Sequence, residues 1–316
     1  MEWVLLGIPV GIVLLYIGSE LTVDGAKKFA LLMGITPFAA GLTIVAIGSS
    51  LPEAITSIVS RDNPEIIIGN IIGSNSANAG IAIGLAAVIS PIACKFADIK
   101  FEMAAMIAAV FSILILSLNG SLGYIDGIIL LAMLVLFIAG VYRFKSKNAA
   151  EDAEEEKPSG SKILSIGMAA AGIVLLYFGA KWFIGGAVRL AEISGLSDLI
   201  IGLVLVAVGS ALPEISICLM AAYRGENELA VSNVVGSIVF NTFFALGIGA
   251  LFADIPIGKT TLIFHIPVMI FLASAVFFFV YRKNAVGRKA GAVLFSAYAV
   301  YLALMFFFPE LTSGIL

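Results

Sequence analysis

Long apolar runs dominate the chain, and short polar breaks separate them. Most runs approach or exceed the roughly 20 residues that a helix needs to cross a lipid bilayer. The breaks carry turn-forming residues, as in Arg61-Asp62-Asn63-Pro64-Glu65. The pattern predicts an all-α integral membrane protein with ten transmembrane helices. The predicted spans are 3–19, 35–60, 66–91, 101–118, 125–142, 163–180, 197–221, 229–251, 260–281 and 290–308.

The chain also contains two copies of one pattern. Residues 14–53, which end in GSSLPE, recur without a gap 161 positions later as residues 175–214, which end in GSALPE. Five spans per half is an odd number, so the second copy must enter the membrane from the opposite side. This is the inverted-repeat plan of many secondary transporters. We therefore predict a first five-helix half at 1–143, an acidic linker at 144–162 and a second five-helix half at 163–316.

Composition and charge narrow the class of protein. The chain is 61% hydrophobic and 12% charged, which excludes an ordinary soluble domain. With the N-terminus outside, 14 of the 18 lysines and arginines fall in inner loops. This bias predicts a multi-pass protein of the cell (plasma) membrane, with extracellular termini and a cytoplasmic linker. The linker is acidic, which argues against nucleic acid as a partner. It lacks an EF-hand pattern, so a regulatory calcium site there is only an alternative.

Each copy ends in a glutamate beside a proline, within a span that is otherwise apolar. Pro52 has no N–H, so it disturbs the backbone bonding near residues 46–48. Carbonyls freed in lipid need a partner, and a bound cation would be one. Ser49 and Glu53 are four residues apart and share a helix face. The same arrangement of residues recurs in the second half as Ala207, Ser210, Pro213 and Glu214.

A second polar motif follows each glutamate. Its amides and hydroxyls recur at four-residue spacing and share one helix face in each half. They are Asn70, Ser74 and Asn78 in the first half, and Asn233, Ser237 and Asn241 in the second. Ser50 fits either a ligand or a packing role, and we include it among the candidate ligands. Asn75 and Ser76 lie off this face, which predicts packing roles.

The donor set predicts the kind of ion. Carboxylate, hydroxyl, amide and carbonyl oxygens are hard ligands that suit Ca²⁺ or Na⁺. One Ca²⁺ or two monovalent ions would balance two ionised glutamates, which favours exchange over co-transport. No cofactor, nucleophile–base pair or obligatory protein partner is indicated, so we do not expect an enzyme. The only histidine, His265, is predicted to pack, with proton sensing as the alternative. Asp24 and Asp198 lie near span ends, where we expect water contact or capping.

These motifs resemble those of the calcium/cation antiporters, most closely the prokaryotic sodium/calcium exchangers. The resemblance is carried by GSSLPE with GNIIGSNSAN, and by GSALPE with SNVVGSIVFN. It implies that Na⁺ and Ca²⁺ are the transported ions and that segments near 3–30 and 163–190 slide across a fixed core. The implied ligands are the carboxylates of Glu53 and Glu214, the hydroxyls of Ser49, Ser210, Ser74 and Ser237, the carbonyls of Ala46 and Ala207, and the side chains of Asn78 and Asn241.

Two positions depart from the family pattern. Ala211 stands opposite Ser50, where a second hydroxyl is common, so one sodium site is expected to be weaker, missing or completed by water. Asn241 stands where several relatives carry aspartate, which makes potassium coupling less expected. A Ca²⁺/H⁺ antiporter that uses the same glutamates is the alternative function, and a cation channel is a more distant one.

Overall fold

The computed structural model describes residues 2–145, 161–193 and 209–308, and these residues are mostly helical. Nine helices in this part are long and apolar enough to cross a membrane. A shorter apolar helix, Leu212–Tyr223, lies in the second part of the predicted seventh span. The first part of that span lies outside the described residues, as do Asp198 and most of the predicted linker. The all-α membrane class is confirmed.

The elements of the first half are short wherever the polar motifs occur. In chain order its helices are α1 (Gly7–Met33), α2 (Pro37–Ala40), α3 (Ala46–Ser49), α4 (Leu51–Val59), α5 (Pro64–Ala77), α6 (Ile83–Ile89), α7 (Phe96–Leu116) and α8 (Tyr124–Lys145). A 3₁₀ turn precedes α1 at Glu2–Leu6 and another follows α7 at Ser117–Asn119, and π-helical segments lie at Gly41–Val45 and Asn78–Ala82.

The described part of the second half repeats the later part of this order. Its helices are α9 (Lys162–Ile193), α10 (Leu212–Tyr223), α11 (Asn227–Phe240), α12 (Gly247–Phe252), α13 (Ile266–Lys283) and α14 (Arg288–Phe307). Its described π-helical segments are Asn241–Leu246 and Thr261–His265. A π-helical segment again follows the asparagine-rich helix, as in the first half.

Helices α1 and α9 are the equivalent first helices of the two halves, and they pack antiparallel. Gly7 lies against Trp182 at one end, and Gly25 lies against Ala169 at the other. A methyl group on Gly18 would lie 2.8 Å from a carbonyl oxygen of α9, so glycine is required for this approach. Equivalent helices that run in opposite directions are the expected result of inverted repeats.

Helix α1 is longer than its sequence predicts. The predicted first span ends at residue 19, but α1 continues to Met33 and ends at Gly34, whose φ of +67° allows a left-handed cap. The predicted sixth span ends at 180, whereas α9 runs to Ile193. Both predicted ends are too early because polar residues were taken as the limit of each helix.

Ion pairs explain why charges do not end α1. Arg224, in the turn between α10 and α11, donates hydrogen bonds to Glu20 and Asp24. The Nζ atom of Lys27 lies 2.8 Å from an oxygen of Glu226 in the same turn. Asp24, whose side chain is 34% exposed, therefore forms an ion pair in addition to the water contact that the sequence predicted.

Four short strands connect the two halves. Strand β1 (Ile92–Ala93) pairs antiparallel with β4 (Ala285–Val286), and β2 (Ser121–Leu122) pairs antiparallel with β3 (Ile255–Pro256). Each pair joins a loop of one half to a loop of the other.

The centre of the molecule is formed by the two asparagine-rich segments. The buried fraction is 83% in the most apolar stretches of Pro64–Ile89 and of Asn227–Phe252. It is only 22% in the most apolar stretch of Val4–Met33. Every residue from Leu229 to Phe240 is buried. Apart from Asn70, which is half-buried, the side chains of the predicted polar stripes are therefore buried inside the protein.

Candidate cation site

The two glutamates occupy the same local structure in the two halves. The backbone turns at Ser50 (φ −87°, ψ 3°), and α4 then begins at Leu51, has Pro52 at its second position and carries Glu53 in its first turn. The backbone turns in the same way at Ala211 (φ −85°, ψ 0°), and α10 carries Glu214 in its first turn. A carboxylate near a helix N-terminus is stabilised by the positive end of the helix dipole.

The proline predicts disturbed bonding at residues 46–48, but Ala46–Ser49 forms the short helix α3, and the departure from regular α-helix lies before it. A π-helical segment, Gly41–Val45, leads into the four-residue helix α3. The Ala46 carbonyl accepts the backbone N–H of Ser50 at 3.1 Å and the hydroxyl of Ser49 at 3.4 Å. Its equivalent, Ala207, lies outside the described residues.

The carboxylates of Glu53 and Glu214 meet between the two halves. Their residues are 1% and 0% exposed, and the two side chains lie close enough to interact electrostatically. One oxygen of each carboxylate, Oε2, has no hydrogen-bond partner in the part of the chain that the structure describes. Two buried acids with unpartnered oxygens are costly unless they share a proton or bind a cation.

Serine hydroxyls of the first half contact both glutamates, and Ser210 of the second half reaches this cluster through Ser74. Ser50 donates a hydrogen bond of 3.4 Å to Oε1 of Glu214, and the Ser49 hydroxyl, which donates to the Ala46 carbonyl, lies near the same carboxylate. Ser74 donates to Oε1 of Glu53 at 3.0 Å, and its Oγ lies 2.9 Å from Oγ of Ser210. Four of the predicted serines therefore surround the carboxylates.

The predicted amides and Ser237 are fully buried beside this cluster. Asn78, Asn241 and Ser237 are each 0% exposed. Both amide atoms of Asn78, Oδ1 of Asn241 and Oγ of Ser237 have no hydrogen-bond partner among residues 2–145, 161–193 and 209–308. Ser237 directly follows Gly236, on which a Cβ would lie 2.6 Å from Cβ of Ala46. Several oxygens that the sequence proposes as ligands are therefore among the buried polar atoms without a partner in the described residues.

Two other residues singled out from the sequence, Asn233 and His265, form buried hydrogen bonds. Asn233 donates a 3.3 Å hydrogen bond to the backbone carbonyl of Glu214, which links α11 to α10. His265 is buried, and its Nδ1 lies 2.8 Å from the hydroxyl of Tyr301. A buried hydrogen bond of this kind agrees with the predicted packing role.

The four-residue spacing overlooked Asn75. Its Nδ2 donates to Oγ1 of Thr242 at 3.1 Å, and its Oδ1 accepts from Nδ2 of Asn241 at 3.2 Å. Asn75 is therefore hydrogen-bonded to a candidate ligand, whereas the sequence predicted only packing. Two signals were available, since Asn75 directly follows Ser74 and Thr242 directly follows Asn241.

An all-α membrane protein with two inverted halves and a buried acidic site between them has the architecture of a secondary transporter. A family model described as "Sodium/calcium exchanger protein" matches residues 3–143 and 164–307. The chain belongs to this family.

Individual relatives match over nearly their whole length. The sodium/calcium exchanger MaX1 of Methanosarcina acetivorans is 30% identical over 94% of this chain and 97% of its own. An uncharacterized membrane protein of Methanocaldococcus jannaschii is 31% identical over 93% of this chain and 95% of its own. Among solved structures, the sodium-calcium exchanger NCX_Mj soaked with Na⁺ and Sr²⁺ has a TM-score of 0.83. That structure is 29% identical and covers 96% of this chain and 99% of its own.

Proposed function

We propose that this protein is a secondary antiporter that exchanges Na⁺ for Ca²⁺ across the cell membrane. The observation that carries the proposal is the meeting of Glu53 and Glu214, one from each half, with an unpartnered oxygen on each carboxylate. The relatives named as sodium/calcium exchangers support the same ions.

The two ions compete for one set of oxygens in this proposal. Two ionised carboxylates are balanced by one Ca²⁺ or by two Na⁺, so occupancy by either ion opposes binding of the other. The proposed ligands are the two glutamates with the side chains of Ser49, Ser50, Ser74, Ser210, Ser237, Asn78 and Asn241, and the carbonyls of Ala46 and Ala207. All are oxygen donors of the kind that Ca²⁺ and Na⁺ accept.

Alternating access would be provided by α1 and α9. These helices lie at the lipid-facing periphery and meet each other through glycines, a surface that offers few side-chain obstacles to sliding. The core helices α5 and α11 would stay fixed because their buried side chains interlock with many neighbours. We place both termini outside and the linker in the cytoplasm, as the distribution of lysine and arginine indicates.

The test is sodium-driven ⁴⁵Ca²⁺ uptake into proteoliposomes. We expect Glu53→Gln and Glu214→Gln to abolish calcium flux, because each removes a charge that the divalent ion requires, while the purified proteins remain folded. Glu65→Gln is the matched control, since Glu65 is an exposed glutamate at the start of α5. Sodium-dependent calcium flux in the double glutamine variant would refute the site.

The same vesicles distinguish the alternative function. Calcium uptake driven by a pH gradient in the absence of Na⁺ would identify a Ca²⁺/H⁺ antiporter. Unitary currents in planar bilayers would identify a channel.

A further inference from the structure

Asn75 lies in α5 at a buried point where the two halves meet. It contacts three residues of the second half: Asn241 and Thr242, in one π-helical segment, and Met269 in α13. Its side chain is 1% exposed, and those of Asn241 and Thr242 are fully buried. Both amide atoms of Asn75 are therefore satisfied by protein groups, as is usual for a buried polar side chain.

The thioether of Met269 determines which way the Asn75 amide points. The Sδ atom lies 3.9 Å from Nδ2 of Asn75, and a thioether accepts hydrogen bonds but cannot donate them. The atom of Asn75 that faces Met269 and Thr242 is therefore the NH₂ group. Its carbonyl oxygen must face Asn241, where it accepts a bond of 3.2 Å.

This orientation in turn fixes the amide of Asn241. Because Oδ1 of Asn75 is an acceptor, the atom of Asn241 that faces it must be Nδ2. The other amide atom of Asn241, Oδ1, then points away from Asn75. It is buried and has no hydrogen-bond partner within the described ranges. A carboxamide held in this way presents an oxygen, and not an NH₂ group, to its remaining surroundings.

The first half lacks the equivalent support. Ile238 occupies the position equivalent to Asn75, and Ala79 the position equivalent to Thr242. Neither side chain has a hydrogen-bonding group. In agreement, neither amide atom of Asn78 has a hydrogen-bond partner in the described part of the chain. The two central asparagines are therefore supported differently, although their sequence positions match.

We propose that Asn75 is a positioning residue that holds Asn241 with its carbonyl oxygen toward the transported cation. Met269 and Thr242 orient Asn75, and Asn75 orients Asn241. This inference rests on the proposed function, since it takes Asn241 to be a cation ligand. It adds that Asn241 is pre-oriented for a cation, whereas Asn78 must be oriented by the ion itself.

Cation binding to purified protein tests the inference separately from transport. We expect Asn75→Leu, which keeps the approximate volume, to raise the calcium dissociation constant in calorimetric titration about fivefold, the effect of losing about 1 kcal/mol of ligand orientation. Thr242→Val should shift it in the same direction, and the conservative variant Thr242→Ser should restore wild-type binding. Ser76→Ala is the matched control, because Ser76 is buried one residue away and its hydroxyl has no partner among the described residues.

A double-mutant cycle shows whether Asn75 acts through Asn241. We expect Asn75→Leu to have no further effect on calcium binding in an Asn241→Leu background. Additive losses, or unchanged binding in Asn75→Leu, would overturn the inference. If Asn75→Leu does not fold, the contrast between Thr242→Val and Thr242→Ser decides, and equal binding by those two variants overturns it. Calcium binding that follows this pattern without sodium-driven flux would instead count against the proposed exchange activity.

Discussion

The hydroxyl of Ser50 has no counterpart at Ala211, although the two backbones are nearly identical. The dihedral angles are φ −87°, ψ 3° at Ser50 and φ −85°, ψ 0° at Ala211. Ser50 uses its hydroxyl to bond Glu214 at 3.4 Å. A serine introduced at Ala211 should therefore direct its hydroxyl toward Glu53 in the equivalent way.

The expected size of the effect follows from one hydroxyl. A hydrogen bond or ligand of this kind contributes about 1 kcal/mol net, which corresponds to about a fivefold change in a dissociation constant. We expect Ala211→Ser to lower the half-saturating Na⁺ concentration about fivefold at the site it completes. Ser50→Ala should raise that concentration by a similar factor at the opposite site.

The assay is ⁴⁵Ca²⁺ flux in proteoliposomes, measured over a series of Na⁺ concentrations. Ser57→Ala is the control, because Ser57 lies one turn after Glu53, is buried and has an Oγ without a partner in the described residues. If Ala211→Ser leaves the sodium dependence unchanged while Ser50→Ala weakens it, the two halves are not functionally equivalent here. The argument from matched backbone geometry would then be wrong.

Two further predictions concern contacts away from the carboxylates. Arg224→Gln should lower the free energy of unfolding by no more than about 1 kcal/mol, because its ion pairs with α1 are about one-third exposed. It should also make the exchange rate less sensitive to ionic strength. If the salt dependence of the exchange rate is the same in Arg224→Gln as in the unchanged protein, these ion pairs do not break during transport. Tyr301→Phe should lower stability by about 1–3 kcal/mol because it leaves the buried Nδ1 of His265 without this bond. Tyr298→Phe should lower stability less, because the Tyr298 hydroxyl has no partner in the described ranges. Thermal unfolding in detergent measures both variants, and a lower stability for Tyr298→Phe than for Tyr301→Phe would contradict this reasoning.

Hydrophobic pattern and duplication were sufficient to predict the fold class and the inversion. Apolar periodicity is a strong signal in membrane proteins because every spanning segment must satisfy its own backbone. The end of α1 was misplaced because a charge paired across the fold looks the same in sequence as a charge in water. The strand pairs and the π-helical segments leave no comparable local pattern.

The candidate site was predictable to the extent that its residues follow helical spacing. Glu53 and Glu214 were identified from the Pro-Glu context that both copies share, and Ser74 and Ser237 were identified from their four-residue spacing to asparagines of the same helix. Asn75 was not, because its role depends on residues about 167 and 194 positions away in the chain. Side-chain contacts between distant segments are not specified by the periodicity of either one.

The strand pairs between the halves have a consequence for biosynthesis. The backbone N–H of Phe96 donates to the side chain of Asn284, 188 positions later, and β1 completes its pairing only with β4. The loop that contains β1 therefore cannot form this strand pair until almost the whole polypeptide has left the ribosome. A stalled nascent chain that ends before residue 284 would contain all the helices of the first half. It would still lack Asn284 and β4, which bond to the loop of the first half.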